Sequence, residues 1–327
     1  MASLLPTGVP LPVPIGDALA AQITNNSAFA MIGAANPSAE ASANMGGDFV
    51  TAPRWNQDTT ASEKIDGSSS TPGSVGAYGE VFPICRRKRV RGIVSTVAPA
   101  MGLASDDAAA QPLMEQSAVY WAQQIDNAFL HMLTGLFDAS SGILRSTHGL
   151  DIGGTAAPLV TASYSAIIKA ATGKLGDQFA SLKFGVAHSL VIADLMQEAA
   201  AKNIANGTGM LGSFAVAQIG GLTLIPHDNV PTSGSGTYKK YRTILVRPGA
   251  LWFAWQKQLK EYVQVDAKVP ETIYTQEAHF AVGVQGCKWG VTTVNPVQAD
   301  LETATNYAKA TSVDKEIGLV ALTTNAS

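Results

Sequence analysis

A chain of 327 residues with 46% hydrophobic content is long enough to bury one large core or two smaller ones. Only 14% of the residues are charged and the net charge is −3, which excludes a global attraction to nucleic acid or anionic membrane and leaves such binding to a local patch. Two cysteines, Cys85 and Cys287, exclude a disulfide framework and supply no C-x-x-C zinc pair, so both read as buried thiols in a reducing compartment.

In chain order, "MASLLPTGVPLPVPIG" lacks a charged leader and is full of proline, so no signal peptide is expected. No run of eighteen apolar residues exists, so no membrane span is expected either. Residues 1–45 read as an extended arm that orders only against something else, because prolines at 6, 10, 12 and 14 precede a stretch of small residues. Residues 46–80 are rich in Gly, Ser, Thr and Asp around one large anchor, Trp55. A loop this long inside a compact chain is usually functional, and its flanks are expected to run out and back from a tip at "DGSSSTPGS". "VFPICRRKRVRGIVSTV", 81–97, reads as a strand bent near Pro83 and Gly92.

Residues 112–137 hold the clearest helix signal. Pro112 suits a first turn, and Met114, Ala118, Trp121, Ile125, Ala128, Met132 and Leu136 recur at steps of three and four, giving one apolar face. "SYSAIIKAATG", 163–173, predicts a helix with Ser163 as N-cap and Gly173 as its stop. "FGVA", 184–187, predicts a strand leading into a helix from His188 or Ser189. A strand pair around Gly220 and Gly221 follows, then strands over 241–255, 260–266 and 271–290. The polar tail after residue 290 reads as partly loose.

Chemistry is sparse. None of the five histidines pairs with a second His or a Cys at ligand spacing. "SGSGT", 233–237, fits neither a nucleophile elbow nor a phosphate loop. No acid, base and nucleophile converge, so neither enzyme activity, cofactor nor metal is expected.

The order of parts resembles the major capsid (coat) proteins of tailed bacteriophages with the HK97-type fold. "RRKRVRG" leads into "VAPAMG"; "EQSAVYWAQQIDNAFLHMLTGLF" resembles the spine helix of one branch, and "LGDQFASLKFGVAHSLVIADL" its entry to the axial domain. "IGGLTLIPHDNVP" and "YRTILVRPGAL" resemble its later strands. The resemblance implies an α+β chain with an N-terminal arm at 1–45 and an extended loop hairpin at 46–85. It implies a peripheral domain from 86–175 and 256–327 that carries the spine helix 112–137, and an axial domain at 176–255. It implies a virion subunit, assembled in the host bacterial cytoplasm, that forms hexamers and pentamers in an icosahedral shell around packaged DNA. A separate scaffolding protein, a portal and a decoration protein are the implied partners, with DNA contacted non-specifically and no membrane. Some family members cross-link a Lys to a neighbour's Asn; Lys64 lies in the loop here, but no partner Asn or assisting Glu can be matched. An encapsulin-like compartment around an enzyme cargo shares the fold, and a nucleic-acid-binding module is the reading from another class.

One cluster stands out. Arg86, Arg87, Lys88, Arg89 and Arg91 place five cations in six positions, after a segment 1–85 whose net charge is −5. A nuclear address, a DNA contact and a subunit contact are the three readings of the run. The subunit contact is preferred: in an alternating strand Arg87, Arg89 and Arg91 share one face and Arg86 and Lys88 the other. Five like charges need anions between them, which Asp58, Glu63 and Asp66 of a neighbour's loop can supply, with Trp55 as an anchor.

Overall fold

The computed structural model describes residues 23, 26–31, 35–37, 47–55, 77–94, 106–205, 217–219, 222–266 and 271–326. Its longest element is helix α2, Asp106–Leu136, after a short α1 at Ala28–Met31. At 1.5 Å per residue α2 is roughly 46 Å long. It starts nearly two turns before Pro112, so that proline lies inside the helix and not in its first turn. From Ala118 to Leu136 the expected apolar face is buried.

The helix is buried beyond that stripe, and two segments expected to be loose are the reason. Ile23 and Phe29 of the arm are buried, and the Phe29 ring lies 5.2 Å from that of Phe129. The described part of the arm therefore orders on its own subunit. The tail covers the C-terminal half of the helix: Leu301 on α6, Gln298–Glu302, and Tyr307 are buried there. Gly135 permits this approach, since a Cβ would stand 2.6 Å from the Leu301 carbonyl and 2.8 Å from the Tyr307 ring.

Strand β1, Ala35–Pro37, opens a four-stranded sheet of order β1-β11-β12-β4, built with β4, Cys85–Val94, β11, Leu251–Asp266, and β12, Glu271–Val284. Hairpin strands β2, Phe49–Trp55, and β3, Ala77–Pro83, pair antiparallel and rise from it. The bend in the 81–97 strand falls at Ile84; Gly92 pairs with Ile273 without interruption. A second small pair joins β13, Cys287–Trp289, to β14, Tyr307–Lys309. Cys85 and Cys287 are both free and buried.

A seven-stranded sheet has the order β5-β15-β10-β6-β8-β7, with β9 added on β10. Its members are β5, Gly149–Asp151, β6, Phe184–Ala187, β7, Ala217–Ile219, β8, Leu222–Pro226, β9, Thr232–Ser233, β10, Lys240–Val246, and β15, Leu319–Asn325. The expected strand over 241–255 is two strands in different sheets. The chain turns at Arg247–Ala250, where Gly249 takes φ 73°, and the second strand continues through 260–266, shifting register against β12 between Trp255 and Lys257 and again between Lys257 and Lys260. The tail expected to be loose supplies the buried β15, which pairs with β10 over its full length.

Tyr241, Leu245, Val320 and Leu322 face helices α4, Tyr164–Leu175, and α5, Ser189–Ala205, in one core. Ile244, Val246, Leu319 and Ala321 face the core around α2. Ser163 caps α4 as expected, its hydroxyl accepting from the Ala166 N–H at 3.2 Å. The helix passes Gly173 and stops at Gly176, which takes φ 57°. Short helix α3, Arg145–His148, links α2 to β5.

Candidate assembly surface

The basic run is β4, an outer strand of the four-stranded sheet, antiparallel to β12. Alternation divides its cations as the strand pattern predicts. The Arg89 guanidinium carbon lies 3.8 Å over the Tyr120 ring of α2, a cation–π contact, and its buried Nη1 has no hydrogen-bond partner among the described residues. Arg91 donates to Ser117 Oγ at 2.5 Å and lies 4.0 Å from Glu261. Arg87 donates to Asn295 Oδ1 at 3.2 Å and to the Pro296 carbonyl at 2.6 Å. On the other face Arg86 donates to Asp48 at 2.5 Å.

Four of the five cations therefore have their counterparts within the same chain. Lys88 is exposed and stands opposite Glu277 in the ladder, whose carboxylate accepts from Lys257 and meets His279, each at 2.7 Å. Asp58, Glu63 and Asp66 lie outside the described residues. Trp55 ends the described length of β2 and is 75% exposed. With Arg54, Tyr78, Arg247, Lys315 and Glu316 it borders a groove of about 270 Å³ at the Trp55–Ala77 end of the described ladder.

The arginines also shape what the surface shows. Asn295, at φ 48°, accepts from both the Arg86 backbone N–H at 2.8 Å and the Arg87 guanidinium. This pins the loop after β13, on which Val294 and Val297 are 45% and 59% exposed. Val90 on the outer strand β4 is exposed as well. The Asn-Pro pair at 295–296 is a turn signal legible in the sequence; its role in holding the basic strand was not.

Beneath the surface lie polar groups that sequence reasoning missed. Gln276 joins the helix to the sheet: it accepts from Trp121 Nε1 at 3.1 Å and donates to Ser117 at 2.8 Å and Glu261 at 3.0 Å. Burial raises the Glu261 pKa, opposed by Gln276 and Arg91. Glu80 roots the hairpin, accepting from the Gly286 N–H at 2.6 Å and Trp252 Nε1 at 3.2 Å. Burial pushes its pKa up to about 6 against those hydrogen bonds and Arg54. Period-two alternation places Glu80 on the face of buried Phe82, so its burial was legible in principle.

Among the described residues no group of three or more His, Cys, Asp and Glu could hold a metal ion, and no helix is long and apolar enough to cross a membrane.

The model of a family described as Gp13-like, major capsid protein 13-like, matches residues 109–320, from within α2 to the start of β15. No curated protein matches. Among solved structures, the head of Helicobacter pylori bacteriophage KHP40 superposes with TM-score 0.59 at 10% identity, covering 92% of this chain and 91% of its own. The capsid of Ralstonia phage GP4 gives TM-score 0.56 at 16% identity, over 90% of this chain and 87% of its own. The cyanophage Pam1 capsid gives TM-score 0.53 at 11% identity, over 87% of both chains. At such identities the likeness is one of fold.

Proposed function

From the chain's membership of the major capsid protein 13-like family, we propose how it builds a phage head. The protein is a structural capsid subunit, and subunits of this kind associate with one another in the virion. The proposed assembly consists of hexamers and pentamers that close an icosahedral shell around DNA held by non-specific contacts. A separate scaffolding protein, a portal and a decoration protein are the proposed further partners, and the host cytoplasm is the proposed place of assembly. In the proposed shell the axial part is the seven-stranded sheet with α4 and α5, which adds β5, α4 and β15 to the expected 176–255 and leaves 251–255 to the four-stranded sheet. The four-stranded sheet with α2 forms the peripheral part, and residues 46–85 reach a neighbour.

The observation that carries this reading is the family match over 109–320, which takes in most of the long helix, strands β11 and β12 of the four-stranded sheet, and the seven-stranded sheet up to the start of β15. At residue level the proposed neighbour contact centres on Lys88, Val90, Val294 and Val297, with Trp55 anchoring the hairpin. Arg86, Arg87, Arg89 and Arg91 support this contact from behind. Their own-chain partners favour that role over direct pairing with a neighbour's carboxylates, and favour it over a DNA contact.

Sedimentation and electron microscopy of the purified protein test the function. Rings of five and six subunits, or closed shells, are expected. A chain that stays monomeric at every concentration overturns the reading, and particles that copurify an enzyme favour the encapsulin-like alternative.

A further inference from the structure

Arg242 lies on β10 on the same side as Ile244 and Val246, which face the core around α2. There it lines a cavity of about 240 Å³ with Phe137, Arg145, Asp151, Ser233 and Thr323. These residues come from the end of α2, from α3, and from strands β5, β9 and β15. The Arg242 Nη1 is buried and has no hydrogen-bond partner among the described residues. A guanidinium carries five N–H donors in a fixed fork, and a buried donor left unmade is costly.

The two carboxylates nearest in influence are already engaged. Asp151 accepts from Lys240 Nζ at 3.2 Å through each oxygen. Asp138 accepts from the backbone N–H groups of Ser140 and Ser141 at 2.9 Å each, and from their hydroxyls at 2.7 and 3.2 Å. Both favour the charged form of Arg242 through space, against the burial that disfavours it. Lys240 occupies Asp151 and the Ser140–Ser141 turn occupies Asp138, while Arg145 adds a second guanidinium to the lining beside Arg242. The cavity is smaller than the roughly 300–1,000 Å³ that takes a drug-sized ligand. We infer that this cavity binds one small oxyanion, the phosphate, sulfate or carboxylate group, between Arg242 and Arg145. A guanidinium fork matches such oxygens two at a time, and the bond is charge-assisted. The inference needs no assembly, so it stands or falls separately from the capsid reading.

Thermal melting of the dissociated full-length subunit tests it, in sodium phosphate, sodium sulfate and sodium acetate against sodium chloride at matched ionic strength. Ligand linkage predicts a rise of roughly 2–5 °C in phosphate or sulfate well above the Kd. A rise in acetate as well identifies a site that also takes carboxylates. Arg242→Gln abolishes the rise. Arg145→Gln, at an exposed position that leaves the fold intact, reduces it, which keeps the test decisive if the first variant folds poorly. Lys239→Gln, on the Tyr241 side of the strand, keeps it. No rise beyond chloride, an unchanged rise in both arginine variants, or an equal loss in Lys239→Gln overturns the inference.

Discussion

Asp126, midway along the long helix, accepts a hydrogen bond from Ser27 Oγ at 2.5 Å across 99 residues of sequence. The same carboxylate accepts from the Ala28 N–H at 2.9 Å and so caps the short helix of the arm. Burial raises its pKa, and the Ser27 and Ala28 bonds oppose that rise. The helix thereby holds the Ser27–Met31 turn of the arm on its own subunit. Asp126→Ala is expected to cost about 1–3 kcal/mol, the scale for stranding buried donors. Limited proteolysis of the variant should cut before Met31 at least several times faster than in the parent. Equal rates would mean that Ile23 and Phe29 hold the arm without the carboxylate.

Glu80 gives the stability of the subunit a pH slope. Its carboxyl is raised from 4.5 to about 6 in the folded protein, so between those values the folded state binds more protons than the unfolded one. Stability conferred by this group is therefore full below pH 4.5 and falls as the pH rises to about 6. The loss is about 2 kcal/mol, at 1.36 kcal/mol per pKa unit. Glu80→Gln keeps an acceptor for the Gly286 N–H and removes the titration. Urea unfolding of dissociated subunits across this window should show a flatter slope in the variant; identical slopes would exclude Glu80 as the source.

Trp121 combines packing with a buried hydrogen bond to Gln276. Trp121→Ala removes a ring that is 1% exposed and is expected to cost about 3–5 kcal/mol, enough to leave insoluble subunits. Trp121→Phe keeps most of the apolar volume and leaves Gln276 short of a donor, at about 1–2 kcal/mol. Denaturant midpoints order the variants as parent, Phe, Ala. A Phe variant as damaged as Ala would place the cost in the hydrogen bond.

Lys88 and Val297 are outward groups of the proposed neighbour contact. Lys88→Glu and Val297→Asp should leave the melting temperature of the free subunit within about 2 °C, as surface changes do, and reduce shell yield. Arg89→Glu should lower subunit stability instead, because it removes the contact with the Tyr120 ring. Particle counts and melting curves separate the two outcomes. Normal assembly of both outward variants would move the contact elsewhere.

Several features were decided by the sequence alone because short-range physics decides them. The 3.6-residue recurrence from Ala118 to Leu136 dictates a helix with that face inward. Ser163 dictates where α4 begins, and alternation dictates which cations of 86–91 share a face. Other features depended on partners far away in the chain. The polar tail after residue 290 carries a buried central strand because β10 lacked a neighbour there, a need invisible in local composition. The described residues around Ser27 are held because Asp126, 99 residues away, accepts from the Ser27 hydroxyl and from the Ala28 and Phe29 N–H groups. The basic run looked like five charges in need of a neighbour. Asp48, Asn295, and Ser117 with Tyr120 on α2, from three separate segments, engage four of them. Composition and spacing fix periodicity and caps, which act over a few residues. Where a buried donor or charge finds its partner is set by packing across the whole fold.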